Sequence, residues 1–166
     1  MAGASEVGME RLDDLRKLLT GLLDWEDAHV GFDSVIDGIP TGLRAAQPQG
    51  LPYSAWQLLE HMRLAQRDIL DFCRDPNYVE PKSMAEYWPP SSAPPTSEAW
   101  DESVAGFRRD LEAMKRIARE GDLFAAVPQG TGQTYLREIV LLADHNAYTL
   151  GQLVVVRRLL GIWKRA

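Results

Sequence analysis

Six of the ten prolines fall within residues 75–96, DPNYVEPKSMAEYWPPSSAPPT. Proline lacks the backbone donor and its ring clashes with the preceding turn, so neither a helix nor an interior strand survives this density. The 22-residue stretch is therefore an extended crossover, and it divides the chain into two parts. On either side of it apolar residues recur at steps of three and four, and nowhere do they alternate as in a strand.

Before the crossover, Leu12, Leu15, Leu19, Leu22, Trp25, Phe32 and Ile36 follow one stripe, with His29 filling the gap. This predicts a first helix ending near Asp37–Gly38, with Pro40 and Gly42 just beyond. A second helix starts at Ser54, an N-cap residue type. It buries Leu58, Met62, Ala65, Ile69, Phe72 and Cys73, sets His61 at the stripe's edge, and stops at Asp75 because Pro76 steers its neighbour out of the helical region.

After the crossover, Thr96 or Ser97 caps a third helix with Glu98 in its first turn. Its stripe is Trp100, Val104, Phe107, Leu111, Met114 and Ala118, and Gly121 ends it. The segment DLFAAVPQGTG is a loop. A fourth helix runs from about Gln133 to Trp163, apolar on nearly every side at Ile139–Ala143 and Leu153–Val156, as befits a helix that is central or shared with a partner subunit. Four helices imply an all-α bundle. A crossover long enough to travel the bundle's length favours an up-down-down-up order, since short links would require antiparallel neighbours.

The 166 residues suit a single domain over 1–166 that buries a core without disulfides. A net charge of −6 argues against nucleic acid as partner, which needs a basic face. Arg157, Arg158, Lys164 and Arg165 read as the solvated end of the last helix. The single cysteine, Cys73, excludes a disulfide framework and a cysteine-rich zinc site, and its place on an apolar stripe makes it packing rather than a nucleophile. The opening MAGASEVGMERLDD lacks the basic start and apolar run of a signal peptide. No continuous apolar run approaches the roughly 18 residues of a membrane span. The expected address is cytoplasmic, with no membrane partner.

Only three histidines are present, His29, His61 and His145. With the first two helices antiparallel, His29 lies eight residues before the end of one and His61 eight residues into the other. At about 1.5 Å per residue both then sit about 12 Å from the same end of the bundle, and His145, midway along the fourth helix, can reach a similar height. The imidazoles either converge on a metal site in the bundle core or are separate, satisfied core residues.

The segment 137–152, REIVLLADHNAYTLGQ, resembles the last-helix motif of the DinB-like family, and WQLLEHM at 56–62 resembles its second-helix segment. The likeness extends over nearly the whole chain, including the long crossover and the terminal VVVRRLLGIW. It implies an up-down-down-up four-helix bundle, often a homodimer, with a divalent metal such as zinc or nickel held by three histidines. One comes from the second helix and two from an H-x-x-x-H pair on the last. By that correspondence His61 and His145 are metal ligands, but the position four residues after His145 is Thr149. A hydroxyl is a far weaker donor to zinc or nickel than an imidazole. His29 is the one remaining histidine.

Three states of the site follow: metal held by His61, His145 and His29; metal held weakly, with water completing its shell; or no metal, with His61 hydrogen-bonded to His145 or Thr149. The resemblance implies a metal- and thiol-dependent transferase or related enzyme, in which the ion lowers the pKa of a small thiol and Gln152 orients substrate. The alternative is a noncatalytic small-ligand-binding or dimerisation module with a degenerate metal site. Tyr78, Tyr87 and Trp88 of the crossover either cover an apolar ligand or pin the crossover onto the bundle.

Overall fold

A computed structural model describes residues 2–163, with side chains from residue 7 onward, and all regular elements among them are helical. They are α1 (Ala2–Leu22), α2 (Phe32–Ile36), α3 (Ala55–Arg74), α4 (Ala99–Glu120) and α5 (Tyr135–Leu159), with 3-10 turns at Thr41–Leu43 and Met84–Tyr87. The fold is all-α and compatible with a helical bundle. Helix α3 packs on α4 and α5, and α1 packs on α4. One apolar cluster, drawn from all five helices, forms the core.

The continuous first helix expected along the Leu12–Ile36 stripe is instead two helices separated by an irregular segment, 23–31. The break leaves Asp24, Glu26 and Asp27 just beyond the C-terminal end of α1, where carboxylates are unfavourable. The carboxylate of Asp24 pairs with Lys115 of α4 instead. Gly31, in extended backbone, precedes α2. Of the stripe, Leu19, Phe32 and Ile36 are buried and Trp25 is exposed; Leu23 and Val35 join the core beside them. Arg16 of α1 donates to the Ala118 carbonyl at 3.0 Å, and Arg108 of α4 donates to Asp33 of α2.

Helix α3 begins and ends where its sequence signals lie. The Ser54 hydroxyl accepts from the Gln57 N–H at 3.1 Å, and Gln57 Oε1 accepts from the Ser54 N–H at 3.0 Å, a reciprocal capping box. The same hydroxyl donates to the Ser92 carbonyl at 2.6 Å, tying the crossover to the helix start. On α4, Trp100, Val104, Phe107, Leu111, Met114 and Ala118 are all buried, as their spacing predicts. The helix starts at Ala99, whose N–H is accepted by Thr96 Oγ1 at 3.2 Å.

Helix α5 is shorter at both ends than the Gln133–Trp163 expectation. Its length and apolar composition would suffice to cross a membrane; in this fold it packs on α3 and α4 and counts Glu138, Asn146 and Arg157 among its buried residues. Arg157 is a correction to the expected solvated end. It is 6% exposed, and its guanidinium donates to the Ser34 and Val35 carbonyls within α2 while lying over the Trp163 ring at 5.0 Å. A short helix leaves most of its carbonyls without internal partners, and Arg157 supplies donors to two of them. Lys164 and Arg165 lie outside the described residues.

Candidate functional site

Helices α3 and α5 bring His61 and His145 together, with their Nε2 atoms 3.2 Å apart. The His61 Nδ1 donates to the Tyr87 carbonyl at 2.9 Å. A carbonyl can only accept, so this bond fixes the tautomer and leaves His61 Nε2 as a lone pair directed at His145. The indole of Trp88 lies flat on the His61 ring, with centroids 3.8 Å apart and planes 3° from parallel. Tyr53 stacks on the same indole at 4.5 Å. His61 is thus held on one side by an aromatic stack from the crossover and on the other by a second imidazole, edge-on at 5.1 Å.

Both rings are half-buried, and burial pushes the pKa of each below the ordinary imidazole value. The Tyr87 hydrogen bond partly opposes this at His61. At His145 the nearby His61 lowers it further. At neutral pH both rings are therefore neutral, and one Nε2–H donates to the other Nε2 across the pair.

The third position of the expected metal centre is closed. Thr149 is 1% exposed, and its hydroxyl donates at 2.9 Å to the carbonyl of His145, one turn back. Such back-bonding commits the hydroxyl proton within the helix. His29 lies in the irregular segment between α1 and α2, not on a helix; it is exposed and its Nδ1 lies 3.0 Å from the adjacent Val30 carbonyl. The helical arithmetic that set it level with His61 fails, because α1 ends seven residues earlier, at Leu22. Among the described residues, no three His, Cys, Asp or Glu side chains gather as a ligand set. The residues present supply two nitrogen donors and do not fit a closed three-histidine centre.

Two turns along α3 and α5 from the pair lies a cleft of about 520 Å³, walled by Asp68, Tyr78, Gln129, Arg137 and Glu138. Glu138 is 2% exposed and accepts from Arg137 at 2.6 Å. Asp68 accepts the hydroxyls of both Tyr78 and Tyr87, each at 2.9 Å. These two bonds and the Trp88 stack pin the crossover onto α3, one of the two roles open to these aromatics from sequence. Burial and the Asp68 carboxylate raise both phenol pKa values, so the phenols stay protonated donors. Gln152 lines a different, apolar groove of about 420 Å³ with Tyr53, Tyr148 and Val155.

Sequence reading paired His61 with His145 and singled out Trp88, but missed Asp68, the Tyr87 carbonyl and the stack of Trp88 on His61. Asp68 carried a usable signal, because seven residues after His61 it returns to the same face of α3. Trp88 carried none, since its place depends on how a proline-rich segment settles against the helices. Comparison with protein-family models, with curated proteins and with solved structures finds no match for this chain.

Proposed function

We propose that this chain is a DinB-like up-down-down-up bundle that binds a small molecule without catalysing a reaction, its ancestral metal centre reduced to a hydrogen-bonded histidine pair. The reading rests on one observation, the Thr149 hydroxyl turned onto the His145 carbonyl beside two imidazoles in direct contact. The cleft of Asp68, Arg137 and Glu138 is the site offered to a small polar ligand.

The topology is supported by the order of the side-chain bonds between helices. Ser103 donates to Glu60 and Arg67 donates to Asp110, both across a sequence separation of 43. Two contacts two turns apart with a constant offset suit parallel helices. Between α1 and α4 the order reverses, Arg16 meeting Ala118 and Asp24 meeting Lys115.

The proposed homodimer uses the outward face of α5. Val140, Tyr148, Val155 and Leu159 are exposed there, alongside Asp144 and Gly151. At steps of three and four these six residues occupy one stripe. A Cβ built on Gly151 would meet nothing within 4 Å, so the middle of the stripe is open to close approach. A second copy laid antiparallel across Gly151 sets Asp144 against Arg158 of the partner subunit, and the contact repeats by two-fold symmetry.

One observation favours the other reading, a metal- and thiol-dependent enzyme. Two Nε2 atoms 3.2 Å apart can share one zinc ion at the usual Zn–N distance of about 2.0–2.1 Å. Elemental analysis separates the two. Untagged protein incubated with zinc or nickel and then desalted is expected to retain well under stoichiometric metal, and Thr149→His is expected to raise retention. Stoichiometric metal in the wild type, lost in both His61→Ala and His145→Ala, overturns the noncatalytic reading.

A further inference from the structure

Asp68 is a half-buried carboxylate without a cation. Its two oxygens accept the neutral Tyr78 and Tyr87 hydroxyls, and among the described residues no lysine, arginine or histidine pairs with it. Arg67 and Arg74 of the same helix are committed to Asp71 and Asp110. An ionised carboxylate offers about four acceptor sites, so about two on Asp68 remain for a donor. Arg137, on the wall of the same cleft of about 520 Å³, is the converse case. Its side chain is 55% exposed and gives one N–H to Glu138. A guanidinium carries about five donors, and the others meet no acceptor among the described residues.

The surface between these two charges is apolar, because Ile69, Phe72 and Leu141 each show part of their side chain to the cleft. The remaining charged groups are Glu80, exposed at the rim, and Glu138, buried and matched by Arg137. The excess of carboxylates repels a simple anion, while a simple cation would leave the free donors of Arg137 unused. The spacing of the charges follows from the helices. Cys73, five residues beyond Asp68, lies near enough to Glu138 to feel its charge, so the first turn of α5 sits beside the last turn of α3. Five residues at about 1.5 Å each set Asp68 and Arg137 about 7.5 Å apart along the helices. An α-amino acid is too short to reach both.

Resting on the reading of this cleft as the ligand site, we infer that it binds a zwitterion of the ω-amino acid class, with its ammonium on Asp68, its carboxylate on Arg137 and its alkyl chain along Ile69, Phe72 and Leu141. Each charged end meets the group that lacks a partner, and the chain covers the apolar surface between them. The site is separate from the histidine pair and does not depend on whether that pair holds metal.

Calorimetric titration with 6-aminohexanoate, hexylamine and hexanoate tests the assignment, since the three share a chain and differ in which ends are charged. 6-Aminohexanoate is expected to saturate the wild type at least tenfold more tightly than either, and more tightly than glycine, which carries both charges but no chain. Asp68→Asn is expected to lower its affinity to that of hexanoate. Arg137→Gln is expected to lower it to that of hexylamine, and so is the Arg137→Gln, Glu138→Gln double variant, which leaves no buried carboxylate alone. Hexylamine as tight as 6-aminohexanoate, with both weakened by Asp68→Asn, overturns the two-charge assignment and leaves the cleft as a site for a cation. Saturation that survives Asp68→Asn and the double variant puts the ligand elsewhere and overturns both the assignment and the reading of the cleft. No saturation of the wild type by 6-aminohexanoate overturns the assignment outright.

Discussion

At the scale of single residues, burial decides which groups can do chemistry. Cys73 is buried on the apolar stripe of α3, and desolvation followed by the nearby Glu138 charge pushes its thiol up to about 12. At pH 8 it carries almost no thiolate. Labelling by a thiol-specific disulfide reagent at that pH is expected to proceed only at the rate of protein opening, and to become immediate in denaturant. Fast labelling of native protein would show that the α3 stripe is exposed.

The histidine pair gives the opposite sign of pH dependence from a stabilising cation. Both rings have folded pKa values below the ordinary 6.5, so the unfolded chain takes up protons first as pH falls. Their contribution to stability is complete above about 6.5 and is lost as pH drops toward the folded values. Asp144 acts weakly the other way on His145. Urea unfolding of metal-free protein between pH 7 and 5 is expected to show a decline that is shallower in the His61→Gln, His145→Gln double variant. Parallel profiles for the two proteins would mean that the rings titrate normally when folded.

Among whole elements, α3 depends most on its first residue. Ser54 caps the helix and also holds Ser92 of the crossover. Ser54→Ala removes both bonds and is expected to cost about 2 kcal/mol, the upper part of the range for N-cap loss. Thermal or urea unfolding measures it, and a loss below about 0.5 kcal/mol would make the cap dispensable. Where helices start and stop was readable where local chemistry decides, as at Ser54 and before Pro76. It was misread between α1 and α2, because Trp25, His29, Phe32 and Ile36 keep helical spacing through a segment that is not helical. Phe32 and Ile36 are buried but Trp25 and His29 are exposed, so the spacing through this segment records neither a helix nor a continuous buried face. Arg157 was misread for a related reason, since its carbonyl partners lie in α2, more than a hundred residues away in the chain.

For the molecule as a whole, the proposed assembly rests on the outer face of α5. Tyr148, 71% exposed, sits beside the open Gly151 at the middle of the stripe. Light scattering at tens of micromolar is expected to give a dimer for the wild type and a monomer for Tyr148→Glu combined with Val155→Asp. A monomeric wild type would reject the assembly, while leaving the histidine pair untouched, since it does not lie on that face.

The crossover and the histidine pair also share one fate. The Tyr87 carbonyl fixes the proton on His61, the neighbouring indole covers its ring, and the Tyr87 hydroxyl anchors the same turn to Asp68. Seating the Met84–Tyr87 turn and setting the protonation of His61 are therefore linked equilibria. Lifting the turn rehydrates the imidazole and frees its rotation in a single event, so the ring becomes more basic as the crossover opens. Trp88 lies against that ring only while the crossover is seated, so in a variant that keeps it as the sole one of the five tryptophans its fluorescence is expected to register the crossover's opening and the histidine's proton as one signal.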